Sequence, residues 1–245
     1  MLRLNGVQKS FDGFMAVSQA DLHVAPGETV AVIGPNGAGK STLFNLITGQ
    51  LRPDKGRIVF QGQDITGLAP HRICQRGLGR SFQIVNLFQR MTVFENVQVS
   101  VLAHHKRTFN LFRPAASLVR EATDAILHDF GLLEQADRVS GSLSHGDQKV
   151  LEMAISLGGE PQMLILDEPT AGMSAEETAV LIRLVNQLCR EKGLTILFCE
   201  HDMEVVFSIS DRIMVMQQGV SLIQDVPEVV RADKRVQEAY LGGAA

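Results

Sequence analysis

The sequence predicts an α/β fold built on a parallel sheet, and three observations point to it. A strand-like run over residues 28–33 enters the glycine-rich octapeptide Gly34-Pro35-Asn36-Gly37-Ala38-Gly39-Lys40-Ser41, and a helical run over 42–48 leaves it. Beyond residue 160, short apolar strands (163–166, 195–199 and 212–216) alternate with helical stretches, as parallel crossovers require. Finally, 45% of the 245 residues are apolar, enough to bury the core of one large domain or of one domain with a small subdomain.

The elements follow in chain order. Residues 2–33 alternate apolar and polar positions in short runs such as Leu2-Arg3-Leu4 and Asp21-Leu22-His23-Val24, and Pro26-Gly27 ends the last of them. This predicts an antiparallel β flank leading into the central strand. The octapeptide spells G-x-x-x-x-G-K-[ST], the phosphate-binding P-loop. A loop that wraps a phosphate chain brings backbone N–H groups against anionic oxygens, and side chains would obstruct that approach, so glycine recurs at Gly34, Gly37 and Gly39. Lys40 sets a cation on the outer phosphates, Ser41 offers a hydroxyl to Mg²⁺, and the helix dipole adds to the anion site. Gly49 caps that helix. Arg52-Pro53-Asp54-Lys55-Gly56 reads as a turn before a strand at 57–60. Strand character fades near Gln83, and the stretch from about 93 to 133 reads as helical.

Two further constellations carry chemistry. Met163-Leu164-Ile165-Leu166-Asp167-Glu168 is an apolar strand ending in an acidic pair, the Walker B pattern. Asp167 is suited to hold Mg²⁺ through water, and Glu168, one residue further, to polarise an attacking water. Leu143-Ser144-His145-Gly146-Asp147-Gln148 precedes a helical run at 149–157. A serine at a helix N-terminus beside a glycine is either an anion-binding corner or a plain N-cap, and the residues alone leave both open. Between strands, Ser174 and Glu177 form a capping box for a helix that sets Leu181, Leu184, Val185 and Leu188 on one face.

In this order the three motifs resemble the ATP-binding subunit of ABC transporters, whose signature is usually Leu-Ser-Gly-Gly-Gln. The resemblance spans essentially the whole chain and implies a RecA-like P-loop core with the antiparallel β flank and an inserted helical subdomain. The implied division is 1–83 for the flank and P-loop part of the core, 84–142 for the helical subdomain and 143–245 for the remainder. ATP and Mg²⁺ are the implied cofactors. By resemblance Gln83 is the glutamine that contacts Mg²⁺ or water, and His201, after the strand at 195–199, is the switch histidine at the γ-phosphate. Phe11 matches the aromatic that stacks on adenine, and Thr42 touches the α-phosphate. Two ATPase subunits would face head to tail, with Lys40, Ser41, Asp167 and Gln83 acting from one side and Ser144, His145 and Gly146 from the other. Glu168, His201 and Gln83 form the implied catalytic set.

The segments Gly79-Arg80-Ser81-Phe82-Gln83, Leu87-Phe88 and Met91-Thr92-Val93-Phe94-Glu95-Asn96-Val97, with the tail Val236-Gln237-Glu238-Ala239-Tyr240-Leu241-Gly242, are similar to the ATPases of branched-chain amino acid importers. The implied activity is ATP hydrolysis coupled to uptake of a small polar solute such as a branched-chain amino acid or a related amide- or urea-type compound. The implied partners are two multi-span membrane subunits, a second ATPase subunit and, indirectly, a solute-binding protein. Phe88, Met91 and Phe94 are candidates for the membrane-subunit contact or for subdomain core. The rival readings are an ABC exporter ATPase and a soluble ABC-type ATPase. The chain departs from the signature at His145 and Asp147, and Ser174 stands where the family usually has Asp.

Charge and composition narrow the class. The net charge of −4 argues against nucleic acid as the main partner. No apolar run approaches the roughly 20 residues that cross a bilayer, and no basic-then-apolar leader opens the chain. The expected place is the cytoplasmic face of the inner membrane, as a peripheral subunit. Cys74, Cys189 and Cys199 are scattered and form no C-x-x-C pair, so they read as reduced thiols, mostly buried.

Overall fold

The computed structural model describes residues 1–80, 87–105 and 118–241. Strands β1 (Leu2–Phe11) and β2 (Phe14–Val24) form an antiparallel hairpin with Leu2 opposite Val24 and Phe11 opposite Phe14. Its two-residue turn, Asp12-Gly13, has φ of 47° and 87°, the backbone that a right-twisted hairpin selects. Strand β4 (Lys55–Phe60) pairs with the other edge of β1, and the short β5 (Gln63–Asp64) closes that side. β1 and β2 are the antiparallel strands predicted within residues 2–33; β4, which starts at Lys55 rather than 57, and β5, which the pattern did not predict, widen that flank.

The central strands are β3 (Thr29–Ile33), β6 (Leu78–Arg80), β7 (Met163–Asp167), β8 (Thr195–Cys199), β9 (Arg212–Gln217) and β10 (Val220–Asp225). The sheet runs β5-β4-β1-β2-β10-β9-β3-β8-β7-β6. The block from β9 to β6 is parallel, whereas β10 turns back on β9 and meets β2 at Val220 opposite Gln19. Every residue of β3, β7 and β8 is buried, which suits parallel strands covered on both faces.

The helices are α1 (Lys40–Ile47), α2 (Pro70–Cys74), α3 (Val93–His104), α4 (Arg120–Asp129), α5 (His145–Leu157), α6 (Ala175–Lys192), α7 (Met203–Ile209), α8 (Pro227–Ala232) and α9 (Lys234–Leu241). The alternation along β3 divides the apolar interior in two. Ala31 and Ile33 join Val97, Leu151, Leu166, Leu181 and Val205 on the side of α3 and α5–α7. Val30 and Val32 join Leu4, Val17, Phe44, Ile58 and Met214 beneath α1 and the antiparallel flank. One strand thus borders both cores, and the loop at its C-terminal end inherits that rigidity.

Several expectations shift by local chemistry. The P-loop helix begins at Lys40 rather than 42, so the lysine and serine of the motif already occupy its first turn. Thr48 is its C-cap and Gly49, at φ 74°, stands one place beyond. Of the helical stretch expected from 93 to 133, the described residues form α3 and α4, and Gly131 at φ 68° follows the end of the second. The cysteines are not mostly buried: Cys199 is buried, Cys189 is half-buried, and Cys74, the last residue of the short α2, faces solvent.

Candidate active site

The P-loop wraps one end of a cavity of about 290 Å³ lined by Phe14, Ala16, Asn36, Gly37, Ala38, Gly39, Lys40, Ser41, Thr42, Glu168 and His201. It lies at the carboxyl ends of β3, β7 and β8, the edge at which open parallel sheets bind their ligands. Gly39, the N-cap of α1, has φ 100°, and a Cβ there would stand 2.4 Å from the Ala16 carbonyl. Gly34 would set a Cβ 2.2 Å from the carbonyl of Met216. The glycines therefore serve close backbone packing of the loop against β2 and β9 as well as access to phosphate.

Lys40 is only 7% exposed, and its Nζ donates to the carbonyls of Gly34 at 2.6 Å and Pro35 at 3.2 Å. Its charge is thus held inside the loop that would cradle an anion. Ser41 and Thr42 follow on the first turn of α1, where the helix amides and dipole favour negative charge.

Glu168 leaves β7 with φ 51°, a left-handed conformation rare for a residue with a side chain and typical of strained functional positions. Its backbone N–H donates to the Cys199 carbonyl at 3.0 Å, which fixes the turn. Its Oε1 lies 3.1 Å from Nε2 of His201, itself half-exposed, so the carboxylate and the imidazole meet at the cavity wall. Behind them sits Glu200, 4% exposed and unsuspected from sequence. One of its oxygens accepts from both the amide and the hydroxyl of Thr170, at 2.7 and 2.6 Å, and the other accepts from the His201 amide at 3.0 Å. Glu200 thereby ties the turn after β7 to the turn after β8. Next to it, burial pushes the Cys199 thiol up to about 12, so it stays protonated and inert.

Asp167 is 4% exposed and sits behind the cavity rather than in its wall. Its Oδ2 pairs with Arg80 at 3.1 Å. Among the described residues no group of three or more His, Cys, Asp or Glu side chains is arranged to hold a metal ion. A hard cation here would rest on one carboxylate, a hydroxyl and the oxygens of a bound phosphate, which is how Mg²⁺ usually binds in phosphate sites. The donors present fit that chemistry.

The remaining candidates are placed as follows. Phe11 ends β1, 42% exposed, with the Lys9 ammonium 5.6 Å over its ring; the aromatic that lines the cavity is its hairpin partner Phe14. Gln83 lies outside the described residues. Ser144, His145 and Gly146 stand at the start of α5 and do not line this cavity. Ser144 is the N-cap, accepting from the Asp147 amide at 3.0 Å. His145 Nε2 lies 3.4 Å from the Ala171 carbonyl and packs on Gly172, so the signature touches the turn after β7 within one chain. Gly146 packs against the Glu177 side chain: a Cβ would stand 2.4 Å from Glu177 Oε1, so that side chain would have to shift. Phe88 is exposed, whereas Phe94 packs on the core beneath the Arg120 guanidinium.

Known proteins resemble this chain along its length. The ABC transporter family model matches residues 17–171. The chain is 41% identical over 253 aligned residues to the high-affinity branched-chain amino acid transport ATP-binding protein LivG of Escherichia coli K12, covering 100% of this chain and 98% of that protein. It is also 41% identical over 251 residues to the corresponding protein BraF of Pseudomonas aeruginosa, with the same coverage. A solved structure of an ATP-binding cassette of an ABC transporter in its ADP conformation superposes with a TM-score of 0.88 at 33% identity, covering 99% of this chain and 98% of that one.

Proposed function

This chain belongs to the ABC transporter family, and from that premise we infer that it is the ATP-hydrolysing subunit of an importer for branched-chain amino acids or a closely related small polar solute. The observation that carries the hydrolytic part is the shared cavity: the Lys40 loop and the Glu168–His201 pair line one space of about 290 Å³. Full-length similarity to LivG and BraF supports the importer class over an exporter or a soluble ATPase.

In this reading the P-loop amides, Lys40, Ser41 and Thr42 bind the phosphates of ATP. Asp167 with Ser41 and Gln83 holds Mg²⁺, whose chemistry is charge neutralisation at the outer phosphates. Glu168 orients and deprotonates water, and His201 holds Glu168 and the phosphate side of the cavity. Phe14 or its partner Phe11 supports the base. Ser144, His145 and Gly146, which do not line the chain's own cavity, act on the ATP of a second ATPase subunit set head to tail. The division into 1–83, 84–142 and 143–245 then separates the nucleotide core from a helical part that meets two multi-span membrane subunits. Phe88, exposed beside the helical part, is the apolar group best placed for that contact. Among the described residues no helix is long and apolar enough to cross a membrane, in keeping with a peripheral subunit on the cytoplasmic face.

The test is an affinity pull-down of the tagged chain from gently solubilised membranes. Two multi-span proteins and a second ATPase, with a solute-binding protein that binds branched-chain amino acids, are the expected result. Recovery of soluble partners alone would overturn the importer reading.

A further inference from the structure

The carboxylate assigned to the metal carries a second resident cation. Arg80, the last residue of β6, aligns with Ile165 of the parallel β7, so its side chain reaches along that strand to Asp167 two residues on. One terminal nitrogen meets Asp167 Oδ2 at 3.1 Å. The other donates to Asn45 Oδ1 on α1 at 2.7 Å and to Oγ1 of its C-cap Thr48 at 3.0 Å. The Arg80 and Asp167 side chains are only 10% and 5% exposed. A charge pair this deep is weakly screened by water, and the planar fork of arginine is fixed at three points.

We propose that Arg80 is a positioning residue for the divalent cation: clamped on Asn45 and Thr48, it sets a fixed counter-charge against the Asp167 carboxylate, and so sets the metal affinity of the nucleotide site low enough for release. This rests on the reading of Asp167 as the metal-side acid. Removing Arg80 leaves Asp167 a buried carboxylate without this counter-charge, and a divalent cation then meets less electrostatic opposition. The same guanidinium thus joins the end of the P-loop helix to the acidic strand.

The experiment is direct binding of a fluorescent ADP analogue to the purified full chain, in EDTA and across a Mg²⁺ titration. For Arg80→Met the Mg²⁺ midpoint should fall by about tenfold or more, with the EDTA affinity within about twofold of wild type. Arg80→Lys, which keeps a cation, should return the midpoint to within about threefold. Asp167→Asn should flatten the Mg²⁺ dependence. An Arg80→Met midpoint that is unchanged or raised, with Asp167→Asn flat, overturns the role given to Arg80 and leaves Asp167 standing. A full Mg²⁺ dependence in Asp167→Asn overturns the reading of Asp167 itself. If Arg80→Met does not fold by circular dichroism, Asn45→Ala, which releases one anchor of the guanidinium, is read instead: a lowered midpoint supports the proposal and an unchanged one overturns it.

Discussion

At the scale of single residues, the site works by holding charges where they would be costly if left alone. Lys40 is buried against two loop carbonyls, and its exchange of those partners for phosphate oxygens is a charge-assisted one. Lys40→Ala should therefore weaken ATP binding by about tenfold or more, as loss of a hydrogen bond to a charged group costs about 1.5–3 kcal/mol; equilibrium titration with a fluorescent ATP analogue checks this. The cysteines make a separate prediction. Cys74 is exposed while burial raises Cys199 to about 12, so an alkylating reagent at pH 8 should modify Cys74 promptly and leave Cys199 untouched until the chain is unfolded; mass spectrometry of digested protein reads both. Lys40 and Glu168, which line one cavity with His201, are picked out by short motifs at fixed spacing from a strand, and His201 by family resemblance. Glu200 and Arg80 were not legible in the sequence, because their partners Thr170 and Asp167 lie 30 and 87 positions away and only the sheet brings them together.

At the scale of elements, helix ends carry the local information. The Ser174–Glu177 capping box is present in both directions, at 3.3 and 2.8 Å, and the Ser174 amide bond is the main reason that the Glu177 carboxyl is held below its ordinary value. Ser174→Ala should destabilise the chain by about 1 kcal/mol in urea unfolding, with ATP affinity intact. A matching box at Thr92 and Glu95 starts α3, and Asn96 behind it donates to the Thr92 carbonyl and accepts from the Phe88 amide, so the entry to α3 is tied down. In the flank, the Lys9 side-chain hydrogen bond, with those of Ser10, lowers Asp54 to about 2. An acid whose folded value lies below its unfolded value near 4 stabilises the fold above that value and loses the effect as pH falls toward 2. Asp54→Asn should therefore lower the unfolding midpoint at pH 7, and the difference from wild type should close between about pH 4 and pH 2. The Ser174–Glu177 box and strands β3, β7, β8 and β9 are readable from pattern, whereas the Thr92–Glu95 box and strands β6 and β10 come from the structure.

At the scale of the molecule, the described residues form one ten-stranded sheet that links an antiparallel flank to a parallel core, and β3 borders both apolar interiors. Leu166 is 1% exposed on β7, one residue before Asp167. Leu166→Ala should cost about 2–5 kcal/mol in denaturant unfolding and weaken ATP binding beyond what stability explains, because the strand that carries the acidic pair loses its packing. The P-loop, the acidic pair and the histidine converge on one cavity, while the signature at the start of α5 is left outside it. That separation was implied only by resemblance, because sequence order says nothing of which faces a chain keeps for a second subunit. The measurement that tests the account most directly is phosphate release by the membrane complex captured on the tagged chain, wild type beside Glu168→Gln. The account predicts that Glu168→Gln retains bound ATP and turns over at least about 100-fold more slowly, as loss of a general base requires. Turnover at the wild-type rate would contradict it.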